Sequence, residues 1–228
     1  MKNTVKLLGA VALACALSPA GAQATTLSFT AKLTSSIAVG SHLSDLFDYA
    51  AGLGIGDTIT GNVTYDPSVP RTGGNATSIG VYNPSGATMH IFLPSGAISL
   101  SNIGMLVFNG VGLGSSDSVY FSEQQSTPLG GNVAIQSNFN LDFNGSDTVF
   151  GNTSIPNTLS LANFPNSTLE VETEYDITNF VGKRDMFFQL TSVTPAATPL
   201  PASLPLFASG LSALGLAGWR KRRKRTAV

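Results

Sequence analysis

The chain has 228 residues, a near-neutral formal charge of −1, a single cysteine and 24 glycines. That neutrality conceals a division, because all 13 acidic residues fall between positions 25 and 193 while only Lys32, Arg71, Lys183 and Arg184 oppose them there, leaving this body at −9. An acidic body of this kind excludes nucleic acid and anionic membrane surfaces as natural partners, and one cysteine excludes a disulfide framework.

Residues 1–24 read as a secretory signal peptide. Lys2 and Lys6 accompany the apolar run Val5–Leu17, and Ala20-Gly21-Ala22-Gln23-Ala24 supplies the small residues of a cleavage site. Cleavage is expected after Ala24, with Ala22 as the alternative. Cys15 lies inside this segment, and Ala12 stands where a lipidation motif needs Leu, so Cys15 reads as an ordinary apolar-region cysteine. The exported chain then carries no thiol.

The body, residues 25–193, alternates with period two almost throughout, the mark of half-buried strands. Leu27, Phe29, Ala31 and Leu33 alternate with Ser28, Thr30, Lys32 and Thr34. A short helix is expected over Ser44–Ala51, capped by Ser44 and Gly52. Ile59, Gly61, Val63 and Tyr65 then alternate with threonines and Asn62, before a turn at Asp66-Pro67. Further strands are expected at Ala87–Leu93, Ala97–Ser101, Met105–Asn109, Ser118–Ser122, Val133–Phe143 and Met186–Val193. Between the last two, Leu169, Val171, Thr173, Tyr175 and Ile177 alternate with Glu170, Glu172, Glu174 and Asp176. Many short strands with Gly-, Asn- and Ser-rich turns predict an all-β, antiparallel β-sandwich or jelly-roll-like ectodomain. Residues 194–199 read as an extended linker.

The last thirty residues combine three features in a fixed order. The motif Thr198-Pro199-Leu200-Pro201-Ala202 comes first. An uncharged apolar span over 204–219, ending at Trp219, comes second. The cluster Arg220, Lys221, Arg222, Arg223, Lys224 and Arg225 closes the series. Counted from Leu200, the span would reach roughly 30 Å as a helix, enough for one C-terminal transmembrane helix. The basic cluster would hold its end in the cytoplasm.

This order of motif, span and basic cluster resembles the PEP-CTERM class of sorting domains, in the variant whose signature reads Val-Pro-Leu-Pro-Ala; Thr198 replaces the Val. The stretch Gly54–Ser68 also looks like one that recurs in the ectodomains of such proteins. The resemblance implies a Gram-negative host and an exosortase as partner. It also implies an inner-membrane-anchored precursor that is processed near the proline motif and released to the cell surface or extracellular matrix. Thr198–Ala202 would be the recognition element and Arg220–Arg225 the orientation signal. An association with biofilm exopolysaccharide is implied in the same way.

Candidate chemistry in the body is sparse. The two histidines, His42 and His90, accompany no nucleophile elbow, and no His-Glu-x-x-His, zinc, P-loop or dinucleotide pattern occurs. No catalytic residue, metal ligand or cofactor is therefore assigned. Asp142-x-Asn144-x-Ser146 begins like a calcium loop, but Asp147 and Thr153 occupy the glycine and glutamate places, so an Asn144-Gly145 turn is expected instead. The row Glu170, Glu172, Glu174, Asp176 places carboxylates about 6.6 Å apart on one strand face. It reads as a solvated edge, or as a face relieved by a divalent cation or by Lys or Arg opposite it. Asn62, Asn75, Asn144, Asn152 and Asn166 match Asn-x-Ser/Thr, which in a bacterial chain are chance matches. The expected function is that of a non-enzymatic surface or matrix protein. The alternative is a carbohydrate-binding module using Tyr49, Tyr65, Tyr82 and Tyr120 as stacking rings.

Overall fold

The computed structural model describes residues 24–40, 52–110, 116–130, 133–177 and 180–196. The chain divides into two compact units, Met1–Ala196 and Ala197–Val228, and every described residue belongs to the first. Nine strands account for most of it: β1 Thr25–Val39, β2 Thr58–Tyr65, β3 Gly73–Gly74, β4 Ile79–Leu93 and β5 Gly96–Phe108. They continue with β6 Ser118–Gly130, β7 Val133–Asn144, β8 Thr168–Ile177 and β9 Phe180–Pro195. The sheet order is β2-β1-β9-β8-β7-β6-β5-β4-β3, with a further pairing of β2 to β4. All pairings are antiparallel.

The β2–β4 pairing, with Thr60 opposite Phe92 and Thr64 opposite Thr88, closes eight strands into an up-and-down barrel. The tiny β3 is not one of the eight; it pairs with Gly80 and Val81 of β4, beyond the segment that meets β2. The expected sandwich is thus corrected to a closed barrel. A sandwich leaves two free edges on each sheet, whereas here the last pair of edges satisfies its own backbone groups. Several expected short strands are pieces of long ones. Ala97–Ser101 and all but the last residue of Met105–Asn109 belong to β5, where Asn102 adopts φ 59° as the extra residue between Ser101, opposite Thr88, and Ile103, opposite Ala87. This bulge lets Leu100 and Ile103 both point inward, which breaks the alternation read from sequence. β9 likewise runs to Pro195, two residues into the segment that composition marks as linker.

The expected C-terminal transmembrane helix is not among the elements described. The described residues contain no helix, and none of theirs is long and apolar enough to cross a membrane. Residues 200–219 and the expected helix at 44–51 lie outside the described residues.

Inward-facing side chains fill the barrel, as expected for eight strands, whose interior is just wide enough for them. Leu27, Phe29, Ala31 and Leu33 of β1 meet Ile59, Val63 and Tyr65 of β2, all essentially buried. A chain of rings runs toward one end: Tyr65 to Phe121 (5.6 Å between centroids), Phe121 to Phe143 (6.3 Å), Phe143 to Phe164 (6.2 Å) and Phe164 to Phe150 (5.5 Å). The last two belong to the connection over 145–167, which caps that end. The cap is tied down by Tyr82, whose hydroxyl donates to the Thr153 carbonyl at 2.6 Å, and by Tyr65, which donates to Pro156 at 3.2 Å. The expected Asn144-Gly145 hairpin turn is not formed. β7 continues through Asn144, and Gly145 packs so tightly beneath the Asn163 carbonyl that no side chain fits there.

Candidate functional site

Among the described residues the barrel interior is filled, and the strand registers divide its outer face into two surfaces. The first is acidic and spans β6 to β9. Glu170 and Glu172 point outward from β8, opposite Asn140 and Asn138 of β7 and opposite Phe187 and Asp185 of β9. A ladder of donors crosses the strands: Ser122 Oγ donates to Asn140 Oδ1 at 2.9 Å, and Asn140 Nδ2 donates to Glu170 Oε2 at 3.3 Å. Asn138 Nδ2 donates to Glu172 Oε1 at 3.2 Å. Lys183 Nζ lies 3.1 Å from Glu172 Oε2 and 3.4 Å from Asp185 Oδ1. Hydrogen bonding to Glu172, reinforced by both carboxylates, holds the Lys183 ammonium above its ordinary pKa.

The acidic row is therefore not an edge, because β8 is flanked by β7 and β9 along its length. Of the reliefs expected for it, the facing lysine is present. Oxygens of Glu170, Glu172 and Asp185 all lie within 4.8 Å of one another, a spacing that hard cations accept. Lys183 already supplies positive charge to two of the three. Asp176 contributes a backbone position in β8 opposite Ala134 and Val181.

Asp142, at the end of this surface, is a half-buried carboxylate. Desolvation pushes its pKa up to about 6, with a hydrogen bond from Asn144 opposing the shift. Its Oδ1 is buried with no hydrogen-bond partner among the described residues. Tyr120, opposite Asp142 in the register, is raised as well, first by burial and then by the charges of Glu170, Asp142 and Glu172, while a hydrogen bond with Ser122 lowers it. A carboxyl whose folded pKa exceeds its unfolded value of about 4 favours the fold when protonated. That contribution is full below about pH 4 and is lost as pH rises toward 6. Asp142→Asn removes the charged state, and is expected to raise stability at pH 7.5 by about 1–2 kcal/mol after allowance for partial solvent screening. Thermal melts from pH 4 to 8 check this: the variant should lose part of the decline that the parent shows between pH 4 and 6. Parallel curves for the two proteins would refute it.

The second surface lies on β9, β1, β2, β4 and β5, and carries no Asp, Glu, Lys or Arg in its central rows. One transverse row runs Thr194, Ser28, Asn62, His90, Ser99, and the next runs Ser192, Thr30, Thr60, Phe92, Ala97. Between them lies a shallow recess of about 230 Å³, floored by β1 and β2, with Phe92 on one side and Ser192 and Thr194 on the other. Phe92 is 48 % exposed, the one exposed aromatic ring among the described side chains. His90 Nδ1 sits 2.9 Å from Ser99 Oγ, a cross-strand contact within the row.

The sequence-derived sites fare unevenly. Thr198, Pro199, Leu200, Pro201 and Ala202, the cluster Arg220–Arg225, His42 and Tyr49 all lie outside the described residues. Tyr65 and Tyr82, expected as exposed stacking rings, are 1 % and 3 % exposed and serve the core and the cap. Tyr120 is half-buried on the acidic surface. Phe92 is not among the sequence-derived sites, although its sequence carries a signal. In Met89-His90-Ile91-Phe92-Leu93 the inward parity belongs to Met89, Ile91 and Leu93, so Phe92 must face out.

Compared with protein-family models, with curated proteins and with solved structures, the chain gives no match in any of the three. The fold and its surfaces define a filled, closed antiparallel barrel with one acidic and one neutral outer face.

Proposed function

We propose that this chain is an exported cell-surface or extracellular-matrix protein of a Gram-negative bacterium, sorted and processed by an exosortase-type system and without catalytic activity of its own. The carrying observation is where the barrel closes. β1 starts at Thr25, directly after the expected cleavage site, and its Leu27 pairs with Pro195 of β9. The last described bond, Ala196 N–H to the Thr26 carbonyl at 2.8 Å, completes this seam. The strand pairings that close the barrel all lie within residues 25–196, so closure requires neither the expected signal nor the expected sorting segment. Closure also suits a matrix protein, since a barrel offers no open edge for unwanted strand pairing outside the cell. The motif Thr198–Ala202 and the basic run Arg220–Arg225 are the elements that the exosortase and the inner membrane would read. The non-catalytic reading rests on the lack of any sequence motif that nominates a nucleophile or base.

Cell fractionation in a host with an exosortase tests the proposal, using the full chain and a variant lacking residues 198–228. The full chain should pass from a membrane-held precursor to a shorter product at the surface or in the medium. The truncated chain should be exported without entering that route. Retention of both in the cytoplasm would overturn the proposal.

A further inference from the structure

We infer that the neutral outer face of β9, β1, β2 and β4 binds an uncharged polysaccharide chain, with Phe92 as its stacking platform. This inference goes beyond the sorting proposal and does not rest on it.

Three observations converge on this surface. The first is the ring. A phenylalanine 48 % exposed on an outward strand position stands among Thr60, Asn62 and His90, side chains that leave its face open to water. A pyranose ring has one apolar C–H face and a rim of hydroxyls. An aromatic ring flanked by hydroxyl and amide groups complements both.

The second is the hydrogen-bonding inventory. Ser28, Thr30, Thr60, Asn62, Ser192 and Thr194 surround the recess, and each can donate and accept. The registers place them in two transverse rows across neighbouring strands, about 4.8 Å apart from strand to strand. A polymer lying across the strands thus meets a repeated set of donors and acceptors. A bulge helps to set the rows. Thr191 is the extra residue of β9 between Leu190, opposite Ala31, and Ser192, opposite Thr30, and its hydroxyl donates to the Thr30 carbonyl at 3.2 Å. This insertion returns Ser192 and Thr194 to the outer face after the inward Leu190.

The third is charge. The two rows carry no acidic or basic side chain apart from His90, whereas the body as a whole stands at −9. A polyanion would meet no cation in the rows themselves, and the one lysine of the adjoining row, Lys32 opposite Thr58 and Gln189, is a single charge against a body at −9. A polycation would go to the Glu170–Glu172–Asp185 side instead. The surface with an exposed ring is the one that favours neither, which selects a neutral ligand. The recess, about 230 Å³ and open along the sheet, is smaller than the roughly 300–1,000 Å³ typical of enclosing small-molecule clefts. It suits a chain laid over it better than a small molecule swallowed by it.

Affinity electrophoresis of the full chain in mild detergent tests the inference. Gels would contain dextran, hydroxyethyl cellulose or galactomannan as neutral polymers, and alginate as a polyuronate. Retardation is expected in at least one neutral polymer and not in alginate. Phe92→Ala should weaken it roughly tenfold or more, Phe92→Tyr should retain it, and Thr60→Val should weaken it without removing the ring. Asp142→Asn, on the acidic surface, should leave it unchanged. Melting curves of Phe92→Ala verify folding, and Thr60→Val carries the test if that variant is unstable. Retardation by none of the neutral polymers, or equal retardation of the parent, Phe92→Ala and Thr60→Val, overturns the inference. So does self-association that depends on Phe92, which would assign the surface to a second copy of the chain.

Discussion

Asp117→Ala is expected to lower the melting temperature by roughly 10 °C, the effect of about 3–4 kcal/mol on a domain of this size. Asp117 is 0 % exposed. One carboxylate oxygen accepts the Gly110 N–H at 2.7 Å and the other accepts the Phe150 N–H at 2.6 Å. Its backbone N–H donates to the Ser146 carbonyl at 3.3 Å, and its carbonyl accepts from Gly145 at 3.0 Å. One residue thus fastens the end of β5, the exit of β7 and the cap. Hydrogen bonds to a charged acceptor are each worth about 1.5–3 kcal/mol, and alanine leaves two donors without their acceptor. Asp117→Asn keeps one accepting oxygen but turns an amide N–H toward the other donor, so about half the loss is expected. Urea or thermal unfolding of both variants checks the ranking; losses below 1 kcal/mol in both would refute the role.

Gly61→Ala is the second large effect, expected to destabilise by about 2–4 kcal/mol as an overpacking substitution at a seam. A Cβ at Gly61 would stand 2.6 Å from the His90 carbonyl oxygen and closer still to the edge of the Phe29 ring. Neither neighbour yields easily. Phe29 is a buried core ring, and His90 lies in the β4 segment that pairs with β2 to close the barrel. The substitution therefore presses on the pairing that distinguishes a barrel from an open sheet. Adding Phe29→Leu should return part of the loss, because the ring is one of the two clashes, and the backbone clash should keep the rescue incomplete. A double-mutant cycle by chemical denaturation measures this coupling. Strict additivity of the two substitutions would show that the ring is not the obstacle.

The same positions show how far sequence reaches. Period two in Leu27–Leu33, Ile59–Tyr65 and Leu169–Thr173 correctly marks which side chains face the core, because alternation is a local property of an extended backbone. It would also have placed Tyr65 inside with Ile59 and Val63, and Phe92 outside. The bulges at Asn102 and Thr191 resist this reading, since an extra residue shifts the parity without changing composition. The acidic row is legible as a face of β8, but its relief by Lys183 depends on the β8–β9 register, and the half-buried state of Asp142 depends on what packs around it.

Sequence by itself determined the all-β class, the inward faces and the acidic body. Each of these follows from the order of residue types along a short stretch. Tertiary structure decided the rest: a closed barrel in place of a sandwich, a cap pinned by Asp117, and the separation of an acidic from a neutral outer face. All three rest on pairings between residues far apart in the chain, such as Thr60 with Phe92 and Leu27 with Pro195. Strand alternation is the same whichever partner a strand finds, so closure leaves no local trace in sequence.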